Sequence, residues 1–345
     1  MKRLCIVALV FALALSSFAQ ATDMTTYTDA LTGFSDAFLG TLAINSIAGG
    51  VWSDAFIGGF PHFGAGVTVG AVLASKDAIL PVFTQLGIPT DQIPAEIQQY
   101  GMPIPVATLT AKLGMPFLPI DVGANFSYIW PDAGSFIASS LGMEAEYLSY
   151  GLNVRYAILS EEQSFMDLSV GAGVNYVQGR IAKTVSGAGA ELHYDLSAYG
   201  GSDWTVAFAD PTIGFGWSAM TYDFTVQASK KILFFTLYGG VGYTYGNGTV
   251  TSSVESAVTA DRGSGDELSA FLSEAEAAAA ASGTTLPDFS STGFTYEVAS
   301  DSPVFRVFAG VSLDLLIVLD LQGLLVFKEE GLYDYGATAT VRLQL

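Results

Sequence analysis

The chain ends on "YGATATVRLQL", Tyr335 to Leu345, and the alternation in this stretch decides the fold. Tyr335, Ala337, Ala339, Val341, Leu343 and Leu345 fall on one side, and Gly336, Thr338, Thr340, Arg342 and Gln344 on the other. Two residues upstream, Tyr333 joins the first set and Asp334 the second. A period of two describes a strand with one apolar and one polar face. A protein core and a lipid bilayer would both accept the apolar face, so the rest of the chain must choose between them.

The N-terminus begins the choice. "MKRLCIVALVFALALSSFAQA" carries Lys2 and Arg3, an apolar run from Cys5 to Leu15, and a small-residue pattern at Ala19-Gln20-Ala21. That is the pattern of a secretory signal peptide over residues 1–21. Its Cys5 is the single cysteine, so disulfides and thiolate metal sites are not expected in the exported chain. Without Lys2 and Arg3, 11 basic residues face 33 acidic ones, a net charge of −22. Such a chain repels phosphate backbones, and nucleic acid is excluded as a partner. Yet only 13% of residues are charged, against about 25% in soluble domains, and mean hydropathy is +0.44. Beyond the signal no apolar run reaches the length of a membrane helix. The richest stretch, "LDLLIVLDLQGLLVF" (Leu313 to Phe327), is interrupted by Asp314, Asp320 and Gln322. An apolar, exported chain without such a helix points to a closed β-barrel, which satisfies every backbone group without an edge.

The terminal alternation recurs at 121–130, 148–158, 166–176 and 233–245, with weaker copies at 62–73, 104–113, 212–228, 291–299 and 303–315. The copy at 212–228 changes phase near Met220, which reads as a bulge. The sum is about ten strands, within a range of 8–14: an all-β, transmembrane antiparallel barrel over residues 61–345, preceded by a short helical segment at 22–60. Short connections fall near 114–119, 159–163, 229–230 and 300–302, and long ones near 74–103, 130–143, 185–211, 250–290 and 316–331. Short periplasmic turns and long extracellular loops are the outer-membrane arrangement. Tyr128, Trp130, Tyr150, Tyr176, Tyr243, Tyr245, Tyr333 and Tyr335 all sit on apolar faces beside long loops, as an aromatic girdle would.

With signal, strands, girdle and terminal strand in view, the chain resembles bacterial outer-membrane β-barrel proteins. Its last residue is Leu345, where such barrels usually end on an aromatic; with the acidity, this resembles the spirochaetal type. The resemblance implies a place in the outer membrane, contact with its lipid, and assembly machinery that reads the C-terminal strand. In having a segment before the barrel the plan is also similar to long-chain fatty-acid transporters, which have more strands and an Asn-Pro-Ala-Gly motif not found here.

Two segments are not strands. In "YTDALTGFSDAFLGTLA", Leu31, Phe34, Phe38 and Leu42 recur at helical spacing and predict an amphipathic helix. In the acidic loop 250–290, "SGDELSAFLSEAEAAAAASG" opens with Ser264 and Glu267 at capping-box spacing and predicts a surface helix. The two histidines, His62 and His193, are far apart, and no GxSxG, HExxH or EF-hand pattern occurs. Neither catalytic residues nor a metal or other cofactor are expected, and the chain is read as a non-enzyme.

The polar strand faces hold two further signals. Glycines including Gly66, Gly123, Gly171, Gly173, Gly214, Gly216 and Gly242 fall on the inward side and thin the wall. Across the short turns Lys112 faces Asp121, Arg155 faces Asp167, and Arg306 faces Glu297, three expected lumen charge pairs that would fix register or form a constriction. About ten strands leave spare room inside, and the stripe of Phe34, Phe38 and Leu42 suits a plug there. The functional expectation is passive passage of small or apolar solutes, gated by that segment. The alternative is a surface-exposed structural or adhesive barrel working through its acidic loops.

Overall fold

The computed structural model describes residues 35, 38–77, 80, 95–129, 144–161, 163–184, 190–196, 200–210, 212–263, 265, 267–282, 289–290, 293–328 and 333–345. The signal stretch, Leu31, Phe34 and Trp130 lie outside them.

Ten antiparallel strands close on themselves. In chain order they are β1 (Phe63–Ala74), β2 (Met102–Gly114), β3 (Ile120–Ile129), β4 (Glu144–Leu159), β5 (Asp167–Thr184), β8 (Thr212–Ile232), β9 (Phe235–Glu255), β12 (Gly293–Asp314), β13 (Val318–Phe327) and β14 (Tyr333–Gln344). The remaining strands are β6 (Ala190–Asp195), β7 (Asp203–Phe208) and β10 (Val258–Asp261), which form a separate small sheet, and the two-residue β11 (Phe289–Ser290). The seam is β1 on β14, where Val67 lies opposite Val341 and Thr68 opposite Thr340. Odd positions of β14 face outward and even ones inward, so Val341 and Leu343 are exposed and Thr340 and Arg342 buried. No described helix is long and apolar enough to cross a membrane. The described helices include α1 over residues 38–47, α2 (Ala95–Tyr100) and α3 (Leu268–Ser282). An apolar belt (Leu109, Phe126, Leu152, Phe224, Leu237, Leu321) surrounds the wall, the architecture of bacterial outer-membrane barrels.

The strand number agrees with the sequence reading through two compensating differences. The segments 291–299 and 303–315 are one continuous strand, β12, and Asp301-Ser302-Pro303 is no turn. Pro303 lies beyond the last described β12–β13 pair, Phe305 opposite Phe327, so its missing N–H interrupts none of the described pairs of that ladder. Conversely, 316–331 is not a long loop. It holds a tight turn at 315–317 and the strand β13. The bulge expected near Met220 is absent, since β8 keeps register with both neighbours throughout; a register shift lies instead between Ala157 and Leu159. β9 begins at Phe235 and runs to Glu255, ten residues past the expected end, so Leu233 belongs to a turn.

These differences share a cause. The lumen wall is polar near the short turns but apolar toward the long loops, where Ile104, Ile129, Trp217, Val250 and Val298 point inward. Alternation of polarity disappears there while alternation of faces continues. In β8, odd residues face inward along the whole strand: Trp217 and Ala219 above, Thr221, Asp223 and Gln227 below. Gly214 and Gly216, expected inside, therefore lie on the even, outer side.

Strand lengths are uneven. β3 and β13 have 10 residues, β8 and β9 have 21 and β12 has 22. At about 3.4 Å per residue and a tilt near 40°, ten residues rise about 26 Å, roughly the lipid-facing band. The long strands start at the same short turns and so stand about 30 Å taller on the loop side. Two tight turns carry bulky residues in left-handed backbone, Phe117 at φ 67° and Leu233 at φ 60°, each costing about 1–2 kcal/mol relative to glycine.

Candidate functional site: a filled lumen beneath a loop-side head

From α1 on the long-loop side, the segment before β1 descends through the barrel to the short-turn end, where β1 begins. Residues 52–57 lie among polar wall residues and α1 lies among apolar ones. Phe38, Leu39 and Leu42 are buried in a cluster with Ile104, Ile129, Val177, Trp217, Val250 and Val298. Phe38 meets Trp217 edge to face at 5.3 Å. Ile44, Ile47 and Ala48 pack on Val72, Val106, Val304, Phe308 and Leu324. Glycines admit this contact: a Cβ at Gly246 would stand 3.2 Å from Ala43, and one at Gly64 only 2.8 Å from the Trp52 ring.

Polar contacts hold the segment's backbone and side chains to the wall. The Thr41 hydroxyl donates to Asp334 at 2.5 Å and accepts from Lys328 at 2.8 Å, and Lys328 pairs with Asp334 at 2.6 Å. Asn45 donates to the Pro105 carbonyl and Asn125 to that of Ser46. Lower down, the Trp52 indole donates to Thr110, and the amides of Ser53, Ala55 and Ile57 donate to Asp320, Ser229 and Asp121. Gln227 donates to the Trp52 carbonyl. Arg342 bridges Asp320 at 2.9 Å and Asp54 at 2.7 Å, and its guanidinium lies 5.0 Å from the Trp52 ring centroid. Tyr238 donates to the same Asp320.

The charge pairs form with different partners from those expected. Arg155 lies directly opposite Asp121 in register and holds it at 2.7 Å; Asp167, its expected partner, sits at the turn and accepts from the Glu161 amide. Arg306 is clamped on Asp223 with Thr225 and Thr244, whereas Glu297 is exposed nine residues farther up β12. Lys112 is opposite Gly123, its Nζ buried without a hydrogen-bond partner and 5.5 Å from the Trp52 ring. The expected pairs placed partners across the nearest turn. The actual partners sit on whichever strand brings an inward carboxylate to the same level. Signals for the rest were present but unread: Asp320, Asp223 and Arg342 are lone charges at inward positions of apolar strands.

Between residues 47–51 and the wall of β3, β4, β5 and β8 a small, partly open cavity of about 40 Å³ remains, lined by Asn125, Asn153, Arg155, Gly171, Gly173, Asn175, Asp223 and Gln227. The Asn153 Oδ1 in this wall has no donor. Of the expected girdle, Tyr128, Tyr150 and Tyr243 are exposed on the outer face, Tyr150 stacks obliquely on Tyr176 at 5.5 Å, Tyr245 donates to Asp301 and Tyr335 to the Tyr100 carbonyl. Tyr333 pairs through its backbone with Phe327.

Above the barrel, β6, β7, β10 and α3 form a small head. Trp204, Val206 and Ala260 are buried, and Phe271 of α3 meets Trp204 edge to face at 5.8 Å. Glu274 accepts from the Trp204 indole at 2.9 Å and the Ser202 amide at 2.6 Å, which hold its carboxyl below the ordinary glutamate range. Arg262 spans Glu267 and Glu274 and lies over Trp204. His193 is exposed and bonded to Thr205. Among the described residues no group of three potential metal ligands occurs.

No protein-family model and no curated relative matches the sequence. Solved structures do. The outer membrane protease OmpT from Escherichia coli is 10% identical with a TM-score of 0.36, over 83% of this chain and 97% of that one. The translocator domain of the autotransporter NalP from Neisseria meningitidis is 8% identical with a TM-score of 0.37, over 90% and 99%. A major outer membrane protein from Thermus thermophilus is 11% identical with a TM-score of 0.30, over 82% and 99%. The likeness is one of outer-membrane barrel architecture and extends no further.

Proposed function

We propose that this chain is an outer-membrane barrel, closed at rest by residues 38–57, that works at the cell surface through the head carried on its tall strands. The observation that carries this reading is the filled lumen. Wall and segment share an apolar cluster and buried ion pairs, while the chain's additional folded structure lies on the loop side. The partner of the head is a surface or soluble ligand reached from outside, consistent with a structural or adhesive role. Purified protein in planar bilayers is expected to be silent, and removal of residues 190–208 and 258–282 to abolish cell-surface binding without loss of the folded barrel. A steady conductance of the intact protein overturns the closed-barrel reading.

Gated passage is the second reading, favoured by the polar cavity beside Gly171 and Gly173. Displacement of the segment would join that cavity to both mouths, and the amide-rich lining suits small polar solutes better than apolar ones.

A further inference from the structure

The four short turns end in apolar tips. Phe117 is 103% exposed, Phe165 78%, Leu233 84% and Leu316 96%, and each has an apolar neighbour: Leu118, Met166, Phe234 and Leu315. Turns of this kind ordinarily carry glycine, asparagine or aspartate. Here two tips, Phe117 and Leu233, keep a bulky side chain in left-handed backbone, where glycine or asparagine would fit with less strain. Phe117 and Leu233 gain almost no burial within the fold.

We propose that the short-turn rim is a lipid anchor, its apolar tips immersed in the acyl and glycerol region of the adjoining membrane leaflet. The occupant is lipid because the tips continue the outward belt without a break: Leu113 leads to Phe117, Ile232 to Leu233, and Leu319 to Leu316. They also surround the whole circumference, as a bilayer does. The short strands β3 and β13 match the band with no residue to spare, which brings their turns to the leaflet boundary. Just above the tips, Lys230 lies over Phe165 and pairs with Glu161, and Lys231 pairs with Asp314, so both of these lysines are held in ion pairs.

The inference rests on the barrel spanning a membrane, and the test separates the two. Single cysteines replace Phe117, Leu233, Leu316, the belt residue Leu321 and the exposed head residue Glu276 in the full chain, whose only natural cysteine is Cys5. Each carries an environment-sensitive dye in vesicles of phosphatidylcholine and phosphatidylethanolamine. The three tip probes are expected to emit blue-shifted, to lose most of their emission to doxyl-labelled lipid, and to resist aqueous iodide, as Leu321 does and Glu276 does not. Tip probes that behave like Glu276 while Leu321 is quenched by lipid overturn the anchor and leave the rim open to a soluble partner. A Leu321 probe that is also insensitive to lipid overturns the membrane barrel and the anchor together.

Discussion

Leu42→Ala tests how firmly the lumen is closed. Leu42 is fully buried on α1, in the cluster that contains Phe38, Leu39 and Trp217. When the segment leaves the lumen this side chain returns to water, so its packing enters the docking equilibrium directly. Truncating a buried leucine costs about 2–5 kcal/mol, the transfer term plus the cavity left behind. At about 1.4 kcal/mol per decade, the open fraction rises roughly 30-fold at the low end and a few thousand-fold at the high end. Heat-modifiable migration should persist, because the wall ladders do not involve Leu42. The assay is single-channel recording in planar bilayers. Wild type is expected to open rarely, Leu42→Ala to open in frequent bursts, and the lipid-facing Leu321→Ala to match wild type. If Leu42→Ala stays as quiet as wild type, and a cysteine at position 42 remains protected from thiol reagents, apolar packing is not what keeps the lumen shut.

Three further outcomes are expected. Removing either partner of Arg155–Asp121 should cost about 3–5 kcal/mol, because the other charge is left buried; a double-mutant cycle read by urea unfolding should show strong coupling to Asp121 and none to Asp167. Leu321→Arg, near the middle of β13 and facing lipid, should cost about 2–4 kcal/mol and impair insertion, as scored by heat modifiability in vesicles; normal insertion would reverse the face assignment. Glu274 is held below its ordinary pKa, so its contribution to the head is complete above the unfolded value of 4.5 and is lost as pH falls through the lower folded value. Limited proteolysis of the head should therefore accelerate in acid, and Glu274→Gln should weaken the head at neutral pH while flattening that dependence.

Much of the barrel can be read in the sequence because lipid on one side and a polar lumen on the other impose a period of two. Tyr335–Leu345 shows it without interruption. The reading fails where the lumen itself turns apolar. In "VLDLQGLLVF", Leu324 and Val326 face α1 while Leu325 and Phe327 face lipid, so both faces look alike and the strand passes for a loop. Trp217 and Ala219 create a false phase change for the same reason. The charge pairs were half legible. Inward placement of Arg155 and Arg306 follows from the cost of burying them in lipid, but partner choice depends on strand stagger, which hydrophobicity does not encode. Ser53 and Asp54 gave no signal before β1, because their partners Asp320 and Arg342 lie more than 260 positions away.

The lumen segment precedes β1 in the chain, yet several of its strongest ties go to the last hairpin: Thr41 to Asp334, Ser53 to Asp320, and Asp54 to Arg342. Closing the seam joins Phe63 to Leu345, a contact across nearly the whole barrel and therefore the most expensive one in chain entropy. A segment that grips β13 and β14 from inside holds them beside β1 before their ladder forms, turning a long-range search into a local one. The occupant of the pore is then also a jig for its assembly. Removing it would slow the closing of the wall even where the finished wall no longer depends on it.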